Sequence, residues 1–181
     1  MSFVIAGADP ALSNLGLVKG NLNLDTGSLS LTESLLIKTQ ASKNKTVLKR
    51  MDDLNRARNL YLGLHEFIKD VDIICVEMPV GSQTARAMCS YGVCIGILAS
   101  VEKPMIQVSA QEVKLAGAGV KNASKKQMIE WATSTYPNFD WLKDNGRIIN
   151  DNEHLADALA AIYAGVRTDQ FKQAKALRLS K

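Results

Sequence analysis

Residues 150–166, Asn-Asp-Asn-Glu-His-Leu-Ala-Asp-Ala-Leu-Ala-Ala-Ile-Tyr-Ala-Gly-Val, constrain the fold more than any other stretch of the chain. Asp and Asn at the start can cap free N–H groups, and Leu155, Leu159 and Ile162 recur at close to the helical period, so one face is core. His154 and Asp157, three residues apart, share a face beside that apolar row. A charge there is costly unless it is paired or bound to metal. The plainer reading is an acidic first turn that complements the helix dipole, with Asp151 and Glu153 read first as caps or dipole partners and second as a substitute fourth acidic ligand.

Two more carboxylates bear on the choice. Phe-Val-Ile-Ala-Gly-Ala runs into Asp9, and Val-Asp-Ile-Ile-Cys-Val runs into Glu77; both runs read as buried strands. Pro10 disfavours the helical region for Asp9, so its carboxylate is presented from an extended strand end.

At 181 residues, with 46% hydrophobic and 22% charged, the chain is expected to form one domain over 1–181. It contains no apolar run long enough to span a bilayer and no signal-peptide pattern, so a cytoplasmic, intracellular protein is expected. Cys75, Cys89 and Cys94 lack C-x-x-C spacing and sit among apolar residues, which predicts free buried thiols and no zinc site.

The net charge of +4 is unevenly spread. Lys38, Lys43, Lys45, Lys49, Arg50, Arg56 and Arg58 face only Asp52 and Asp53 across residues 38–58. Lys114, Lys121, Lys125 and Lys126 outnumber Glu112, and a basic tail begins near Arg167. Basic blocks around a carboxylate-bearing remainder point to a polyanion held near a metal site.

Strands are predicted at 2–9, 15–24 and 28–37, with an Asp25-Thr26-Gly27 hairpin signal, then at 71–77 and 105–109. Thr46 is read as the cap of a long helix burying Val47, Met51, Leu54, Tyr61, Leu64 and Ile68, its outer face carrying the basic residues and a solvent-facing His65. A loop at 81–87 leads to an apolar helix ending near Val101. Shorter helices follow at 110–116 and, capped by Ser124, to about Thr135. Residues 137–150 read as irregular, and the tail as a helix prone to fraying. Gly117-Ala118-Gly119 fits neither G-x-G-x-x-G nor a P-loop, so no nucleotide cofactor is expected.

The order of these segments resembles the RuvC-type Holliday junction resolvases of the ribonuclease H-like superfamily. Ile5-Ala6-Gly7-Ala8-Asp9-Pro10 with Gly16 is similar to the first motif of that family, Val76-Glu77 to the second and His154-Leu-Ala-Asp157-Ala-Leu to the last. Val113-Lys114, Gly117 and Ala123-Ser-Lys125-Lys-Gln-Met resemble its DNA-contacting segment. Ala11 and Val80 depart from it, standing where the family usually has a glycine and an aromatic residue.

The resemblance implies an α/β fold: a mixed five-stranded sheet, a three-strand antiparallel meander plus two parallel strands, with helices on both faces. It implies a catalytic and metal-binding set of Asp9, Glu77, His154 and Asp157, phosphate contacts at Lys114 and Lys125, and a homodimer acting on branched DNA. Charge adds Lys121, Lys126, Lys49 and Arg50 as candidate DNA contacts. Two Mg²⁺, for which Mn²⁺ could substitute, suit such carboxylates because hard cations prefer oxygen ligands. In this scheme Asp9 bridges the ions, Glu77 and Asp157 each hold one, and His154 ligates or orients water.

Overall fold

The computed structural model describes residues 1–81 and 83–180. Ser82, inside the expected loop, and Lys181, in the basic tail, lie outside the described residues. Strands β1 (Ser2–Pro10), β2 (Asn14–Asn23), β3 (Leu29–Lys38), β4 (Ile73–Glu77) and β5 (Met105–Val108) form one sheet in the order β3-β2-β1-β4-β5. The pairs β1–β2 and β2–β3 are antiparallel, whereas β1–β4 and β4–β5 are parallel. This is the expected ribonuclease H-like sheet.

Strand alternation sorts the core into two layers. Phe3, Ile5, Ile73, Cys75, Ile106 and Val108 pack under α5 (Asn152–Gly165), together with α3 (Ala110–Ala116) and α4 (Lys125–Thr135). Ala6, Ala8, Leu17, Ile74 and Val76 pack under α1 (Lys49–Phe67) and α2 (Ala85–Ala99). By this alternation Asp9 and Glu77 continue the rows that face α5.

Helix α5 lies against the middle of the sheet and buries ten of its residues, five of them alanines. Its fully buried Leu155 and Leu159, with Ile162, each contribute roughly 2 kcal/mol. The small residues set the distance of approach. A Cβ on Gly7 would sit 1.8 Å from the carbonyl oxygen of Ala158, and one on Gly16 would sit 2.3 Å from that of His154. Helix backbone therefore rests directly on strand backbone at two points.

Several expectations are corrected. Helix α1 begins three residues after Thr46, whose N–H and hydroxyl both bond the Asn44 side chain instead of capping it. Its buried positions are Arg56, Leu60, Leu64 and Phe67, while Met51, Leu54 and Tyr61 are exposed. The helix is thus turned relative to its apolar stripe, because Arg56 is drawn inward. Its guanidinium donates to Thr39 Oγ1 (3.0 Å), Ser13 Oγ (3.2 Å) and the Leu12 carbonyl, fixing the turn that follows Asp9. His65 is half-buried, within 3.0 Å of Ser100 Oγ and against the Tyr61 ring.

Cys89 is exposed, whereas Cys75 and Cys94 are buried as expected. Residues 137–150 contain a two-stranded hairpin, β6 (Lys143–Asp144) and β7 (Arg147–Ile148), turning at Asn145-Gly146 with both φ positive. The tail forms α6 (Asp169–Leu179), capped by Thr168 and docked through Phe171 on Phe3, with Arg178 over the same ring. No helix among the described residues is long and apolar enough to cross a membrane.

Candidate active site

Asp9 pairs across the β1–β2 ladder with Gly16, the residue on which the first turn of α5 rests. That contact delivers His154 to Asp9, with Nδ1 2.8 Å from Asp9 Oδ2. One turn further along α5, Asp157 shares the same cavity. Glu77 closes it from the end of β4, one residue beyond the Ala8–Val76 pair. Lys114, at the end of α3, and Lys125, in the first turn of α4, line the opposite side, giving a cavity of about 230 Å³.

The electrostatics of this cavity are strained. Burial pushes the Glu77 carboxyl up to about 8, with the charges of Asp9 and Asp157 adding to the shift and Lys114 relieving it. Burial also pushes Asp157 up to about 7; Asp9 adds to this, and His154 and Lys114 oppose it. Asp157 Oδ1 is buried with no hydrogen-bond partner among the described residues. The hydrogen bond to Asp9 raises the His154 pKa against the effect of burial, and the charges of Asp9, Glu153 and Asp157 add to the rise.

Lys125 opposes the dipole at the N-terminus of α4, so helix stability does not explain its position. It is held instead by Glu153 at 2.7 Å, and that carboxylate also lies 3.4 Å from His154 Nε2. Glu153 therefore belongs to the cavity. Asp151 does not: it sits at the N-cap position without a capping bond and pairs with Lys38 at 2.6 Å. Its expected role as a cap is not seen.

The structure brings Asp9, Glu77, His154, Asp157, Lys114 and Lys125 into one cavity. It leaves the other candidates outside. Lys126 lines a neighbouring cleft and approaches Glu130 at 3.6 Å, and Lys121 is exposed in the α3–α4 turn. Lys49 and Arg50 begin α1, in the layer on the far side of the sheet. Sequence reasoning missed Asn152, which is fully buried and bonds the Leu142 N–H and the Leu142 and Ile149 carbonyls, fastening the β6–β7 hairpin to the start of α5. Its asparagine was legible only as a possible cap.

Among the described residues, no three His, Cys, Asp or Glu groups converge closely enough to grip an ion as the side chains stand. His154 is turned to Asp9, and Glu153 to Lys125. The donor chemistry nevertheless fits a hard divalent cation, since the cavity offers carboxylate oxygens, one of them orphaned, and two carboxyl groups that burial keeps from ionising freely.

A pH dependence follows. Folded values of about 8 for Glu77 and 7 for Asp157 lie above their ordinary 4.5 and 3.8, so the folded state holds more protons within that window. Cation-free stability should therefore fall as pH rises from about 4 to 8, by about 2–3 kcal/mol after allowance for solvent screening. That corresponds to roughly 5–10 °C in Tm. The raised His154 pKa acts in the same direction, its contribution vanishing above the folded value. Asp53 and Asp70, held low by Arg86 and Lys19, oppose it only below the ordinary carboxylate range. Millimolar Mg²⁺ should raise Tm more at pH 8 than at pH 5; thermal melts with and without Mg²⁺ across this range provide the check.

No protein-family profile matches the chain, and no curated protein sequence is significantly similar to it. Solved structures are. Thermus thermophilus RuvC in complex with a Holliday junction substrate superposes with TM-score 0.61 at 21% identity, covering 90% of this chain and 92% of that one. Another structure of Thermus thermophilus RuvC gives TM-score 0.58 at 20% identity, covering 98% and 96%. The fold is that of the RuvC-type resolvases. Fowlpox virus resolvase in complex with substrate Holliday junction DNA shares it at TM-score 0.54 and 14% identity, covering 90% and 94%. Within this RuvC-type fold the Asp9–Glu77–Asp157 cavity lies at the carboxyl ends of two adjacent parallel strands, β1 and β4.

Proposed function

We propose that the protein is a Mg²⁺-dependent endonuclease that resolves four-way DNA junctions, acting as a homodimer in recombination or repair, with Mn²⁺ able to substitute. One observation carries this reading: Asp9, Glu77, Glu153 and Asp157 line one cavity with two lysines, and burial, with the charge of Asp9 adding to it, drives Glu77 and Asp157 toward protonation. A pure phosphate-binding surface has no use for such a cluster. The likeness in fold to two resolvases described with Holliday junctions adds support.

Asp9, Glu77 and Asp157 would hold the ions. When bound, two such cations activate the attacking water and neutralise the departing oxygen. Released from its hydrogen bond to Asp9, the His154 imidazole would orient the nucleophile. Lys114 and Lys125 would contact non-bridging phosphate oxygens, the latter on leaving Glu153. A two-fold symmetric junction suits two copies cutting opposite strands.

The test is purified protein with Mg²⁺ on a labelled mobile four-way junction, beside duplex, flap and RNA–DNA hybrid controls. Paired nicks confined to the junction are expected. Val80 is 82% exposed and aliphatic where the family usually has an aromatic wedge, which favours a wider range of branched substrates. Comparable cutting of flap and hybrid would establish that second reading; tight binding without cutting would favour a non-catalytic relative. Replacing Lys114 and Lys125 together with alanine should weaken junction binding and reduce the slope of log K against log[salt] by about 0.9 for each phosphate no longer neutralised. An unchanged slope would remove both from the interface.

A further inference from the structure

A second cavity, of about 540 Å³, opens between α4 and the β7–α5 turn. It shares Lys125 and Glu153 with the catalytic cavity, so that ion pair forms the wall between the two spaces. Ile129 and Ile148 supply apolar surface, and Ile148 is 41% exposed although it projects from a two-residue strand at the protein surface. Asn150 lies exposed at the same cleft, and its side-chain amide makes no hydrogen bond to protein among the described residues. The charged groups are largely matched already: Lys126 approaches Glu130, Lys125 pairs with Glu153 and Asp151 pairs with Lys38. No excess of positive charge is left here for a phosphate.

An apolar floor with a free amide at its edge suits a flat heterocycle with a hydrogen-bonding rim. The volume lies within the range of about 300–1,000 Å³ in which small organic ligands bind. The wall is also firm. Asn145 and Gly146 close the β6–β7 hairpin, and the buried side chain of Asn152 ties residues 142 and 149 to α5, so the cleft does not have to form on binding.

We propose that this cleft seats one unpaired nucleobase of the bound strand, next to the scissile phosphate, with Ile129 and Ile148 against its face and Asn150 reading its edge. The proposal rests on the nuclease reading above. A branched junction supplies the occupant at low cost, because bases at the crossover lack a stacked neighbour on one side and flipping costs least where pairing is already weak. Asparagine amides match the donor–acceptor edge of adenine, so a preference for that base is expected.

The experiment places 2-aminopurine at each core position of an immobile junction and measures emission on binding in EDTA, where no cleavage occurs. One position should brighten several-fold with the wild type. Ile148→Ser and Asn150→Ala should each lose that signal while keeping the wild-type Tm, since Ile148 is partly exposed and the Asn150 carbonyl bond to the Glu153 N–H survives the change. Replacing the same nucleotide by an abasic site should weaken junction binding by the wild type about tenfold, and binding by Asn150→Ala much less. Junction binding with no brightening at any position, or an abasic penalty equal in wild type and variant, would overturn the subsite and leave the nuclease reading intact. Failure to bind junctions at all would overturn both.

Discussion

Asp9→Asn should abolish cleavage while leaving the protein folded and able to bind junctions. The substitution keeps the shape of the side chain and the strand geometry, but it removes one negative charge from a cavity in which Asp9 raises the pKa of both Glu77 and Asp157. Removing that repulsion should let both carboxylates ionise at lower pH, so Tm at neutral pH should hold or rise, despite a weakened bond to His154. Cation affinity should fall, because an amide oxygen is a poorer ligand for a hard ion than a carboxylate. The rate in Mg²⁺ should drop by about 10³ or more, because Asp9 would be a ligand of the proposed cations that supply both attack and departure. Binding in Ca²⁺ or EDTA depends on the lysines and should persist. Melting temperature, gel-shift affinity and cleavage rate on one preparation decide the matter. A folded Asp9→Asn protein cutting at the wild-type rate would sink the proposed chemistry.

The largest loss of stability should come from Gly7→Ala, a change of a single methyl group. The added carbon would lie 1.8 Å from the Ala158 carbonyl oxygen and 2.9 Å from Ile162 Cγ1. The first of these neighbours is backbone, so no rotamer change relieves the clash and α5 has to move off the sheet. Overpacking a rigid core typically costs 1–3 kcal/mol, and this helix packs on β1, β2 and β4 at once, so about 3 kcal/mol or more is expected, roughly 6–12 °C in Tm. The surviving folded fraction should also cut poorly, since His154 and Asp157 ride on the displaced helix. Gly27→Ala is the matched control. Gly27 has a φ of 74° with open space around its missing Cβ, so its cost is backbone strain of about 1 kcal/mol, without effect on cleavage. Equal melting temperatures for the two variants would mean that α5 does not rest on β1 as closely as described.

Much of this architecture is local in origin and therefore legible. The strand runs that end in Asp9 and Glu77, the Asp25-Thr26-Gly27 turn and the Ser124 cap come from short-range sterics and hydrogen bonding, and they appear within a residue or two of their expected places. The crowded glycines at 7 and 16 were visible as parts of a motif, but not as points of contact, since nothing in a strand records which helix will lie on it. Which face a helix buries is not fixed by its own stripe when a long polar side chain has partners inside. Arg56 turns α1 because Thr39, Ser13 and Leu12 await it, and those groups belong to other elements. The pairing of Lys125 with Glu153 and the docking of α6 on Phe3 have the same character.

By itself, then, the sequence determined the order of the helices and of the five strands of the main sheet, the separation of the core into two layers and the identity of the acidic residues at the strand ends. Only the tertiary structure decided how those acids meet. Asp9 and His154 are 145 residues apart in the chain and 2.8 Å apart in space. The strain among the carboxylates of Asp9, Glu77 and Asp157 exists only because folding removes water from a cavity that none of the contributing elements forms alone.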